Sequence, residues 1–102
     1  MQNIEINLEN ENGQIVEKSN INFSDIIEAL WKHGNEKEYP WLWTIDPYGH
    51  TIFNVHQVPK ITEELNNLSL KVKDKNTLEE LKEIVNFMKK TEQHLYIKFI
   101  GD

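Results

Sequence analysis

The sequence predicts an α+β fold: an antiparallel or mixed sheet of about five to six strands with about three helices, in the order β-β-α-β-β-α-(β)-α-β. Three observations predict it. Apolar and polar residues alternate strictly near both ends of the chain, the signature of half-buried strands. Between them, apolar residues recur at helical spacing in three stretches, 22–33, 58–68 and 77–88. The regular strand–helix alternation that builds a doubly wound parallel sheet is missing. The 102 residues suit one domain spanning 1–102, with no linker, repeat or low-complexity tract.

The first strand is carried by Ile4, Ile6 and Leu8. Glu11-Asn12-Gly13 then reads as a three-residue turn with Gly13 left-handed, placing Leu8 opposite Val16. A helix over 22–33 follows, with Phe23, Ile26, Ile27, Leu30 and Trp31 on its core stripe. Asn22 or Ser24 can cap it and Gly34 can end it. Residues 41–57 read as a second hairpin around Asp46-Pro47-Tyr48-Gly49, a type I turn signature. It pairs Trp41 with Val55, Trp43 with Phe53 and Thr44 with Ile52. That register sends Trp41, Trp43, Ile45, Thr51, Phe53 and Val55 to the core, and Leu42, Thr44, Asp46, His50, Ile52, Asn54 and His56 to the other face.

A short helix over 58–67 starts at Pro59, and "LSLKV" reads as a short strand. Thr77 with Glu80 three residues on is a capping box for the last helix, whose stripe is Leu78, Leu81, Ile84, Val85 and Met88. The closing strand alternates Leu95, Ile97 and Phe99 against His94, Tyr96 and Lys98.

Composition excludes several functions. The chain has no cysteine, so disulfides, thiolate metal sites and cysteine nucleophiles are out. The net charge is −6 and every cation is lysine. An acidic, arginine-free chain is a poor nucleic-acid binder, because phosphate neutralisation dominates that affinity. It suits a basic protein partner instead. No apolar run approaches a membrane span, and "MQNIEINLENENG" has neither the basic nor the apolar region of a signal peptide. The expected address is the cytoplasm, with no membrane partner.

Chemical motifs are sparse. His50 and His56 are six residues apart on one expected strand, roughly 20 Å at about 3.3 Å per residue, too far to share an ion. No metal site and no cofactor is therefore expected. None of the serines lies in a nucleophile-elbow context, and the glycines are isolated. Asp46 beside His50 resembles an acid–base pair, but a turn aspartate accepting backbone hydrogen bonds is the simpler reading. Catalytic residues are not assigned. The candidate binding residues are Asp46, Tyr48, His50, Asn54, His56 and Gln57, the polar side and turn of the expected hairpin.

Three pieces together, "IDPYGHTIFNVHQ", "EEL" at 63–65 and "HLYIKFIGD", resemble a group of small bacterial single-domain proteins. That group combines the Asp-Pro-Tyr-Gly, Thr, Phe-Asn and Gln pattern with a short helix and a terminal strand closing in Phe-Ile-Gly-Asp. The resemblance spans roughly the last two-thirds of the chain. It carries no established enzymatic activity, so it implies no catalytic residue. In size, charge and fold class the chain is also similar to immunity proteins of bacterial toxin systems. The expected function is thus non-catalytic binding, as an immunity protein holding a basic toxin domain through an acidic surface. The alternatives are a small-ligand module or small enzyme built on the 43–57 hairpin. A homodimer through an exposed edge strand is a further expectation.

Overall fold

Polar–apolar alternation in a strand needs something apolar to cover one face, and here the helices supply it. The computed structural model describes residues 3–101. It is an α+β domain of three helices and one four-stranded sheet. The strands are β1 (Ile4–Asn10), β2 (Ile15–Lys18), β3 (His50–Asn54) and β4 (Leu95–Gly101), in the spatial order β2-β1-β4-β3 and antiparallel throughout. The helices are α1 (Ser24–His33), α2 (Val58–Ser69) and α3 (Lys75–Met88).

Ile4, Ile6 and Leu8 of β1, Phe53 of β3, and Ile97 and Phe99 of β4 join the buried helix residues in a single core. Phe99 lies at its centre, edge-on to Phe23 at 4.9 Å and to Phe53 at 5.7 Å between ring centroids. All the helices therefore pack on one side of the sheet. Among the described residues, no helix is long and apolar enough to cross a membrane.

The first hairpin keeps its three-residue loop. Gly13 takes φ 77°, and Asn10 Oδ1 accepts from Asn12 N and Gln14 N at 3.0 Å each. The expected register holds at Glu9, opposite Ile15, but Leu8 faces Glu17 and not Val16. A bulge at Val16 absorbs the extra residue, so Glu17 turns towards Lys90 beyond the end of α3 and forms an ion pair.

The expected 41–57 hairpin does not form. Residues Leu42–Thr44 make a short 3-10 helix, and β3 pairs with β4, setting Phe53 opposite Ile97. The cause lies in α2. Its buried Glu64 accepts from Trp41 N at 3.1 Å and Leu42 N at 2.9 Å, taking two donors that a strand would have offered to a ladder. Thr44 Oγ1 donates to Trp41 O and closes the turn further. Leu42, expected on the polar face, is consequently buried, while Trp41 and Trp43 are half-buried against the core. Buried Tyr39 packs beneath this turn so closely to Gly34 that a Cβ there would lie 2.6 Å from the ring.

"LSLKV" is no strand either: Leu68 and Ser69 finish α2, and Leu70 is exposed. The sheet thus has four strands, not five to six. Helix α3 starts one turn before the expected capping box, because Asp74 Oδ2 accepts from Thr77 N at 3.0 Å and Thr77 Oγ1 at 2.9 Å. Trp31 leaves the core stripe of α1 and is 51% exposed. Just before that helix, Asn22 Oδ1 accepts from Ser24 N and Ile4 N, but the cap position falls on Phe23 and no side chain caps it, so neither Asn22 nor Ser24 is the expected N-cap.

Candidate functional site

The six residues singled out from the sequence divide between two turns at opposite ends of β3. At the first, Asp46 Oδ1 accepts from Tyr48 N at 2.8 Å, and Asp46 N donates to Thr51 Oγ1 at 2.9 Å. The turn seats itself on the last strand. Gly101 N donates to Gly49 O at 2.8 Å, and a Cβ on Gly101 would come within 2.2 Å of Pro47 O. Glycine at 101 is therefore required by close backbone approach.

At the second turn, Asn54 Oδ1 accepts from His56 N and Gln57 N, both at 3.0 Å, while Gln57 Oε1 accepts from Asn54 N at 2.9 Å. Asp46, Asn54 and Gln57 are thus engaged in folding backbone. Tyr48, His50 and His56 are exposed, and Tyr48 reaches 74%. His33 and His94 lie elsewhere, the His94 ring against the Glu11 carboxylate. Among the described residues, no cluster of three or more His, Asp or Glu could hold a metal ion. Distant parts of the chain meet here: Gly101 supports the Asp-Pro-Tyr-Gly turn, and Glu64 holds the chain leading into it. Asp102 lies outside the described residues.

The helix-free face of the sheet is the stronger candidate site. Register places Lys18, Asn7, Lys98 and Ile52 in one row across the strands, Ile15, Glu9, Tyr96 and Asn54 in the next, and Glu5, Ile100 and His50 in a third. A sheet face open to water ordinarily carries exposed polar residues. Here the central polar residues are buried: Asn7 is 2% exposed and Glu9 is 7% exposed. Lys98 Nζ lies 3.8 Å from Glu9 Oε1, a partly buried ion pair spanning β1 and β4. Asn7 Oδ1 is buried and has no hydrogen-bond partner. The two edge strands reverse the usual order, exposing Ile15 (48%) and Ile52 (55%).

The β3 edge adds backbone groups to this surface. The Gly101–Gly49 bond sets the parity of the ladder, so Thr51 and Phe53 point their backbone groups at β4 and His50, Ile52 and Asn54 point theirs outward. Gln57 takes both outward groups of Asn54. His50 and Ile52 remain as the open part of the edge. Sequence reasoning found His50 and Asn54 but missed Asn7, Glu9, Ile15 and Lys98. In "IEINLEN" the polar residues of an alternating strand simply read as its wet side. Their burial comes from neighbouring strands.

A second charged region lies between α1 and α3. Glu80 Oε1 is buried without a partner. Burial, a hydrogen bond with Asp25, and the charges of Asp25, Asp74 and Glu83 push the Glu80 carboxyl up to about 7. Asp25 and Asp74 also line a neighbouring groove of about 550 Å3, together with Glu28, Lys32 and Lys71. Lys71 is already engaged: its ammonium bonds Glu38 Oε2 at 2.9 Å, and that carboxylate holds it above the usual lysine range.

Comparison with protein-family models, with curated proteins and with solved structures finds no match.

Proposed function

We propose that this protein acts by binding another protein through the helix-free face of its sheet, without catalysis. The observation that carries the reading is the composition of that face. Its centre is polar, with Asn7 and Glu9 buried and Lys98 partly buried, and its margins are exposed isoleucines, Ile15 and Ile52. Such a surface offers apolar area for affinity and fixed polar groups for register. The net charge of −6 favours a basic partner through electrostatic steering. We take that partner to be a basic toxin domain in the bacterial cytoplasm, held in the manner of an immunity protein. The alternative, ligand chemistry built on the 46–57 segment, has less support, because Asp46, Asn54 and Gln57 are spent on their own turns.

The test is affinity capture of the tagged protein from its host, comparing the natural chain with the Ile15→Asp/Ile52→Asp double variant. The expected result is one stoichiometric basic protein, lost from the variant while its circular dichroism is unchanged. Capture that survives the double variant, or native mass spectra showing a bound small molecule and no protein, would overturn the reading.

A further inference from the structure

We infer that the β3 edge of the sheet is the joint of a homodimer: β3 of one copy pairs antiparallel with β3 of a second copy, about a two-fold axis at Thr51. The inference goes beyond the reading of the helix-free face and does not depend on it.

A sheet edge is a template for another strand unless something guards it. The two edges of this sheet differ in that respect. Strand β2 is guarded: it carries Glu17 and Lys18, it is bulged, and Glu17 is held by Lys90. Strand β3 carries no charge. The run from Pro47 to Pro59 has no Asp, Glu, Lys or Arg, and these thirteen residues are the longest such run in a chain that is 27% charged. Within it, Tyr48 and Ile52 are exposed to 74% and 55%.

The open part of this edge is short and bounded. His50 and Ile52 turn their backbone N–H and C=O groups outward, and among the described residues no group bonds them. Before them, Tyr48 N is taken by Asp46 Oδ1, and after them both outward groups of Asn54 are taken by Gln57. Two segments bounded in this way fit each other. Setting His50 opposite Ile52 of the second copy, and Ile52 opposite its His50, pairs every open donor with an open acceptor. Thr51 then faces its own copy on the axis, as a narrow pair without hydrogen bonds.

Charge favours a second copy as the occupant. A basic protein is steered to carboxylates, and this edge has none. Two chains of net charge −6 repel wherever carboxylates meet, and a neutral strand is where they can approach. The product is one continuous sheet of two copies, joined β3 to β3, with the Ile52 side chains still on its open face.

The experiment is sedimentation velocity of the pure chain over a concentration series, with no partner present. The expected result is a mass that rises with concentration from 12.1 kDa to twice that value. Ile52→Pro deletes an outward N–H and none that bonds β4, and should weaken the dimer about tenfold or more. Ile52→Lys, which charges the edge, should act in the same direction, and Val16→Lys on β2 should change nothing. The register has its own readout, because the chain has no cysteine. Under mild oxidation Thr51→Cys should link two copies by a disulfide, since facing residues of a narrow pair lie about 4.5 Å apart at Cα, and Val16→Cys should not. Circular dichroism checks the fold of each variant; if Ile52→Pro unfolds, Ile52→Lys decides. A single 12.1 kDa species at every concentration, or a dimer that the β3 variants leave intact, overturns the joint. A monomer that still captures a basic protein removes the joint and leaves the open face standing. A dimer that captures nothing does the reverse.

Discussion

The two faces of the sheet are built from the same alternating strands and have opposite design. On the helix side, Ile6, Ile97 and Phe99 are fully buried among apolar neighbours, and the strand pattern alone explains them. On the open side, Asn7 and Glu9 are nearly as buried, yet polar, and Asn7 Oδ1 is left unpaired. A face that contributes only to stability has no reason to bury an unpaired amide oxygen at its centre. The helix-covered face holds the fold together. The open face tolerates local cost, which is the pattern expected where a surface serves an interaction.

Substitutions separate the two roles. The largest effect belongs to the covered face: Phe99→Ala removes a fully buried ring with two edge-on aromatic contacts, and thermal or denaturant unfolding should show a loss of about 3–5 kcal/mol. Next is the joint between that core and the turn before β3. Glu64→Ala leaves Trp41 N and Leu42 N without their acceptor, and denaturant unfolding should show a loss of about 2–3 kcal/mol. Both results would follow from packing and hydrogen bonding alone, whatever the protein binds.

On the open face the sign changes. Asn7→Leu exchanges an amide with an unsatisfied oxygen for an apolar side chain of the same branching, so stability should hold or rise by up to about 1 kcal/mol. A loss above about 2 kcal/mol would mean that Asn7 is a structural residue and would erase the contrast between the faces. Ile52→Asp, at an exposed position, should change stability by less than about 0.5 kcal/mol while weakening capture of the partner.

The acidic contact between α1 and α3 sharpens the comparison through pH. Glu80 holds its proton up to about 7 in the folded chain, against an ordinary value of 4.5. Between those values the folded state binds more protons than the unfolded state. This group's contribution is therefore most favourable below about 4.5 and is lost as pH rises through about 7. Asp74 works the other way, since its bonds from Thr77 lower its value, and its contribution fades only as the solution becomes strongly acidic. Melting temperatures of the natural chain should fall from pH 5 to pH 8 more steeply than those of Glu80→Gln. Parallel curves would show that Asp25 and Glu80 do not share a proton in the folded protein.

How much was legible in the sequence follows from the range of each signal. The first and last strands of the chain, most of each helical stripe and the left-handed Gly13 were readable, because local periodicity and turn chemistry specify them. So was the turn at Asp46, since a short polar side chain bonds backbone only a few residues away, whereas the helix cap expected at Asn22 or Ser24 did not form. The strand expected at 41–45 failed because Glu64, more than twenty residues further on, captured its backbone donors. The α3 cap moved for a similar reason at shorter range: Asp74 bonded Thr77, and Glu80 turned to Asp25 on another helix. Trp31 matched the helical period and still ended half-exposed, because the neighbouring elements did not extend over it.

The candidate site divides along the same line. His50 and Asn54 were found through their turn context, whereas Asn7, Glu9 and Lys98 acquired their character only when β4 inserted between β1 and β3. By itself the sequence determined the elements that depend on near neighbours, the acidic charge and the lack of cysteine and arginine. The tertiary structure decided which strand pairs with which, which polar groups lose water, and which sheet face stays open. Those outcomes depend on contacts between residues far apart in the chain, and periodicity carries no record of them.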